Sequence, residues 1–336
     1  MKRLVSAVGL AALACIAALA LALAAGARMT TALLMYVSPH DGDSDIYLMD
    51  TGRELSVNLT RNRAEDDWPV WSPDGWRIAF VSNRAGDYGI YVMGSSGSAP
   101  ARIGEATTKG SLSWSPDGSA LVFTDYADYG LKIIDVDTGE TEDRFFRVAS
   151  EIEPVWSPDG TQIAFVSLRD RNAEVYVVDA NGGEARNLSR NRGADDDPAW
   201  SPDGRWLAFQ TERTGFQQIY LAEVSSGAVR GLTEDSGSDE GFAWSADGAR
   251  VVVSRSARFA GVNQLLVVDI ATGEAEAVYT SRSRLRSPVW SADGRYIAFI
   301  AAIDNGMDMF RLELETGALR RLTYNRTAEA RLGWQP

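Results

Sequence analysis

The chain is poor in the residues that carry most side-chain chemistry. Its 336 residues include one cysteine, Cys15, and one histidine, His40. Cys15 lies inside an apolar run, so the remainder of the chain can form no disulfide. The preceding Ala12-Leu13-Ala14 is a poor lipidation signal, and Cys15 reads as a small residue in a membrane segment. His40 stands alone in Ser38-Pro39-His40-Asp41-Gly42, and no G-x-S-x-G elbow occurs, which removes the usual serine-hydrolase triad. A catalytic zinc needs several histidine or cysteine ligands, and these are missing too. Lysine is almost absent: Lys2, Lys109 and Lys132 accompany thirty arginines. Positive charge is outweighed throughout. The net charge is −13, and beyond residue 28 there are 30 basic against 46 acidic residues. So acidic a domain repels nucleic acid and anionic headgroups, and no nucleic-acid partner is expected.

What the chain has in abundance is one motif. Trp71-Ser72-Pro73-Asp74-Gly75 returns at Trp114, Trp156 and Trp200, becomes WSADG at Trp244 and Trp290, and ends as WQP at Trp334. The tryptophans are spaced by 43, 42, 44, 44, 46 and 44 residues. A period of ~40–45 residues in a strand-rich chain marks a β-propeller, with one four-stranded blade per period. Within the Trp156 period, Pro154–Ser157 reads as a first strand and Pro158-Asp159-Gly160 as a tight turn. Gln162–Ser167 and Glu174–Val178 alternate as second and third strands, and a fourth lies around Asn187-Leu188-Ser189.

Fixed offsets recur across the periods. Nine residues after the tryptophan stand Phe80, Phe123, Phe165, Phe209, Val253 and Phe299. Such residues are expected to pack between blades, since a blade must bury both faces. The amino end supplies second to fourth strands without a first, at Leu33–Ser38, Ile46–Asp50 and Val57–Thr60. The carboxyl end supplies a first strand alone, Arg331–Trp334. The expectation is an all-β, seven-bladed propeller over residues 29–336, closed by pairing the last strand with the first three.

Residues 1–28 are read separately, as one signal or membrane helix. Lys2 and Arg3 precede an uncharged run over residues 4–25. As a helix these residues would span ~33 Å, enough for a hydrocarbon core of ~30 Å. That length favours an uncleaved signal anchor, while Ala25-Gly26-Ala27 also fits a cleavage site. In both cases the propeller is expected outside the cytoplasm, membrane-anchored or, after cleavage near Ala27, secreted or periplasmic.

The pattern N-R-x-x-x-D-D-x-P-x-WSPDG, followed by I-A-F and I-Y, is clearest in Asn62–Phe80 and Asn191–Phe209. It resembles the WD40-like repeat of TolB-type propellers, and related repeats form the propeller of prolyl-oligopeptidase-type peptidases. The resemblance spans residues 33–336 and implies a protein-binding propeller outside the cytoplasm. Two departures stand out: TolB carries an α/β domain before six blades, and the oligopeptidases carry a hydrolase domain. Neither addition is read in this chain.

Three constellations are candidates for binding. Five residues before the tryptophan stand Asp66, Glu151, Asp195, Asp239 and Glu329, which should ring one mouth of the channel. An aspartate there also suits loop-fixing hydrogen bonds, so the ring reads as architecture first. Asp67, Asp196, Asp197 and Glu240 go beyond that need and should make the mouth electronegative. The repeat breaks its symmetry at Lys109 and at Leu285, within the arginine loop Arg282, Arg284, Arg286. These arginines either face an acidic partner or neutralise neighbouring carboxylates. Arg144-Phe145-Phe146-Arg147 is a further departure. Asp41, Asp43 and Asp45 resemble the start of a calcium loop, but Ile46 holds the sharp-turn glycine position and begins a strand, so no cofactor is expected, with a weak surface calcium site at these three as the alternative. The reading is a non-catalytic platform for an envelope or extracellular protein. The alternative is a carbohydrate-active hydrolase or lyase, or a small-ligand binder, using carboxylates at the channel mouth.

Overall fold

The computed structural model describes residues 33–40, 42–143, 149–233, 237–257, 261–303, 306–324 and 329–336. The expected signal or membrane helix, the run 4–25, Asp41 and residues 144–147 lie outside them. Among the described residues every regular element is a strand, and no helix is long and apolar enough to cross a membrane.

Each period folds around its tight turn. In the Trp200 period Ser201 Oγ bonds Asp203 Oδ1 at 2.6 Å and accepts the Trp206 N–H at 2.9 Å, while the Ser201 and Trp206 backbones pair at 2.8 Å. Gly204 takes φ 70°, which an L side chain rarely adopts. The serine and aspartate thus close the turn on both sides, and the glycine reverses the chain. The reversal starts an antiparallel meander: Asp195–Trp200, Trp206–Thr211, Gln218–Glu223 and Val229–Gly231, paired in that order. Among the described residues the strands form seven such four-stranded sheets.

The first strands start earlier than the alternation indicated. In the Trp156 blade the strand runs Glu151–Trp156, with a register shift between Ile152 and Val155 and Glu153 at φ 54°. This bulge seats Pro154, which has no N–H to give the ladder, and pairing resumes on its far side. The candidate ring carboxylates Asp66, Glu151, Asp195 and Asp239 therefore belong to strands, paired with the second strand, as in Asp66↔Ser82. The fourth strand of this blade is short, Arg186–Asn187.

Seven apolar clusters hold the ring, one at each junction between neighbouring blades. Phe80 and Tyr91 stack across their own blade at 5.6 Å and pack against Met35, Ile46 and Leu48 of the closing blade. The ring closes as expected: Ala330–Trp334 pairs with Leu33–Ser38, followed by Asp45–Asp50 and Leu55–Asn58. Trp334 Nε1 donates to Val289 O at 3.2 Å and Gln335 Nε2 to Gly75 O at 2.9 Å, tying the last residues to both flanking blades. First strands of neighbouring blades touch along most of the ring, so they line the central channel.

Candidate functional site at the channel mouth

The outer ring of carboxylates is buried. Asp66, Asp195 and Asp239 are 0% exposed, Glu151 1% and Glu329 4%. Arg84, two residues past Ser82, reaches Asp66 at 2.8 Å and lies 4.9 Å over Phe80 and 5.0 Å over Tyr91. Arg169 repeats this with Glu151 over Phe165 and Tyr176, and Arg213 with Asp195 at 3.4 Å over Phe209 and Tyr220. Arg255 grips Asp239 at 2.7 and 3.2 Å, and Thr233 adds a 2.5 Å bond. Burial raises the Glu151 and Asp195 carboxyl pKa values, partly opposed by Arg169 and Arg213. In four blades these arginine pairs lock the start of the first strand to the second strand; the carboxylates are not turned to solvent.

A second collar, one and two residues further along, faces the channel. Its backbone marks it: Trp68, Glu153, Asp197, Ser287 and Arg331 all stand three residues before their tryptophan, at φ between 49° and 54°. This recurring bulge turns their side chains inward between adjacent blades. Over most of the collar, charge is compensated. Arg331 bonds Asp67 at 2.6 Å and stacks over Trp68, and Lys109 reaches Glu65 at 2.8 Å and Asp67 at 3.5 Å. Arg284 bonds Glu240, with Arg286 3.8 Å from the same oxygen. Two members of the arginine loop thus neutralise a neighbouring carboxylate. Arg282 is exposed and makes no ion pair among the described residues; its carbonyl accepts from Asn263 at 3.2 Å.

One sector is not compensated. Between the Trp156 and Trp200 blades lie Glu153, Asp196 and Asp197, none with an ion pair among the described residues. The Asp197 N–H donates to Glu153 Oε2 at 3.0 Å, and Gln210 Nε2 approaches Asp197 at 3.5 Å. Asp197 is open to the channel, yet protein surrounds it. Burial first, then Glu153 and Asp196, pushes its carboxyl up to about 7. Asp196 is pushed up to about 6 by burial and by Glu153, Glu212 and Asp195. Asp196 and Asp197 are legible as surplus acids in the sequence. Glu153 is not, although its place three residues before a tryptophan is the signal. Among the described residues no group of three histidine, cysteine or carboxylate side chains is placed to hold a metal ion. Asp45 accepts hydrogen bonds from Thr60 at 2.7 Å and Asn58 at 2.8 Å, which bind its strand to the next.

Comparison with known proteins places this geometry. The model of the TolB beta propeller domain matches residues 28–146 and 111–262. The uncharacterized protein Atu1656 of Agrobacterium fabrum is 32% identical over 124 residues, covering 33% of this chain and 41% of that protein. The chain covers less than half the length of the curated relatives it matches. The crystal structure of TolB from Acinetobacter baumannii superposes with a TM-score of 0.61 at 20% identity, over 91% of this chain and 67% of that one. An oligogalacturonate lyase in complex with manganese superposes with a TM-score of 0.67 at 15% identity, over 87% and 86%. At these identities the structural likeness is one of fold.

Proposed function

The chain belongs to the TolB beta propeller domain family, and from that premise we propose that it is an extracytoplasmic, non-catalytic platform whose channel mouth docks a basic segment of an envelope or extracellular protein. The observation that carries this reading is the uncompensated sector Glu153, Asp196 and Asp197 in a collar otherwise balanced by Lys109, Arg284, Arg286 and Arg331. Negative charge concentrated between low-dielectric walls attracts and orients a cationic partner. The rigid ring supports such a role because it holds these side chains without loop rearrangement. The apolar run at residues 4–25 supports placement outside the cytoplasm, tethered or released. At the rim, Arg282 is free to meet an acidic group on the same partner.

The test is capture from cross-linked cells with the parent and with Glu153→Gln/Asp196→Asn/Asp197→Asn. A specific protein should be retained by the parent, lost roughly tenfold from the variant, and released by salt. Equal capture by both overturns the reading. A second reading draws on Asp197 itself: a carboxyl near pH 7 suits general acid–base work on a glycan. Turnover of a polysaccharide by the parent, abolished by Asp197→Asn, would establish that reading instead.

A further inference from the structure

The opposite face of the ring breaks the repeat once more. Six residues after its tryptophan, the Trp71 blade carries Arg77, whose guanidinium lies 4.9 Å over the Trp114 ring of the next blade and donates to Gly118 O at 2.7 Å. Arg250 stacks likewise in the Trp244 blade, 4.8 Å over Trp290. At these two junctions an arginine stacked on the next blade's indole fills the space. In the Trp114 blade the equivalent residue is Ala120. The remaining blades place Gln162, Trp206 or Tyr296 there, so only Ala120 is small, and a cavity of about 410 Å³ opens between this blade and the next, lined by Ala120, Ile133, Asp135, Glu140, Trp156 and Gly160.

Trp156 differs in its indole bond, as does Trp290, whose Nε1 has no partner among the described residues. Trp71, Trp114, Trp200, Trp244 and Trp334 each donate their indole N–H to the first strand of the preceding blade. Trp156 instead donates to Gly160 O in its own turn, at 3.1 Å, and its ring lines the cavity. We propose that this cavity receives an arginine side chain from a protein partner, its guanidinium stacked on Trp156, bonded to the Gly160 carbonyl and paired with Asp135 and Glu140.

The chain itself supplies the precedent, since Arg77 and Arg250 are the same ligand delivered in cis. A planar guanidinium suits the slot better than an ammonium because it stacks and donates in its own plane. The rim stays anionic: Asp135 accepts from the Asp137 and Thr138 N–H groups at 3.1 and 2.8 Å and from Thr138 Oγ1 at 2.9 Å. Those bonds hold its carboxyl below the usual range, and the turn residues Asp117 and Asp159 are held low in the same way. The site is at the far end of the first strands from the acidic sector and does not depend on it.

The test follows the Trp156 indole N–H resonance of the full chain, assigned by its loss in Trp156→Phe, during titration with N-acetylarginine amide. The signal should shift and saturate at millimolar ligand, with the uncharged isostere N-acetylcitrulline amide at least ~10-fold weaker. Ala120→Arg should fill the cavity as Arg77 fills its own and abolish the response, with an unchanged or higher melting temperature. Should that variant fold poorly, Glu140→Gln must weaken binding severalfold, whereas Asp197→Asn must leave it untouched. No shift up to ~0.1 M arginine amide, a level well above a millimolar Kd, overturns the proposal. So does equal binding of citrulline, or an unaltered response in both Ala120→Arg and Glu140→Gln.

Discussion

The same carboxylate does different work depending on what stands beside it. Asp195 and Asp197 are two residues apart, one locked to Arg213, the other beside Glu153 of the adjacent blade. Arg213 opposes the burial that raises Asp195; no cation does so for Asp197, whose carboxyl is pushed up to about 7. An unfolded aspartate titrates near ~4. Between those values the folded chain holds more protons than the unfolded one, so this group adds stability as pH falls through 7 and loses it as pH rises. Asp197→Asn should therefore melt higher than the parent at pH 8 and show a smaller gain on acidification to pH 5. Calorimetric scans at both pH values check this, and identical pH slopes would refute the assignment. The turn aspartates act in the opposite sense: Asp203 is held low by Ser201 and the Arg205 N–H, and its contribution fades only on strong acidification.

At the scale of the element, the first strand is the functional unit of each blade. In four blades one end carries a buried carboxylate clamped to the second strand, the middle carries the bulge, and the other end carries the tryptophan. Removing an arginine clamp leaves a carboxylate in an apolar junction without its counter-charge. Arg255→Ala should cost about 3 kcal/mol, because Asp239 is fully buried and would retain only Thr233 as a side-chain partner. Denaturant titration of the two proteins measures it; a loss within ~0.5 kcal/mol, typical of an exposed pair, would deny the clamp its structural role. Arg284→Ala offers the contrast, since that arginine is 55% exposed and its pair with Glu240 should contribute ~1 kcal/mol or less.

For the whole molecule, closure decides stability. The first and last strands are about 300 residues apart in sequence, and loop-closure entropy makes such pairing unfavourable until the other blades have stacked. Once formed, it removes the exposed edge on the amino-terminal blade and supplies Trp334 and Gln335 to two junctions. Deleting Ala330–Pro336 should lower the melting temperature by roughly 10 °C and expose the edge of Leu33–Ser38 to aggregation. Differential scanning calorimetry and light scattering report both, and an unchanged melting temperature would mean the ring does not depend on its closing strand.

The sequence by itself determined the blade count, the turn and the closure, because each rests on local chemistry repeated at a fixed period: a proline and glycine in a tight turn, an alternating strand, an aromatic at a constant offset. It also exposed Asp196 and Asp197 as acids beyond the needs of the turn. Partnership between blades was decided only in the tertiary structure. That Arg284 and Arg286 meet Glu240, that Lys109 reaches back to Glu65, and that Glu153 and Asp197 have no counter-ion among the described residues depends on which side chains 40-odd residues apart converge at one mouth. The bulge that turns Glu153 inward was equally hidden, since its positive φ belongs to a register shift set by pairing with the second strand. Ala120 looked like an ordinary strand residue until Arg77 and Arg250 showed what two other blades place in the same slot. A repeat announces its fold through what it keeps constant, while its sites arise where side chains from adjacent copies meet.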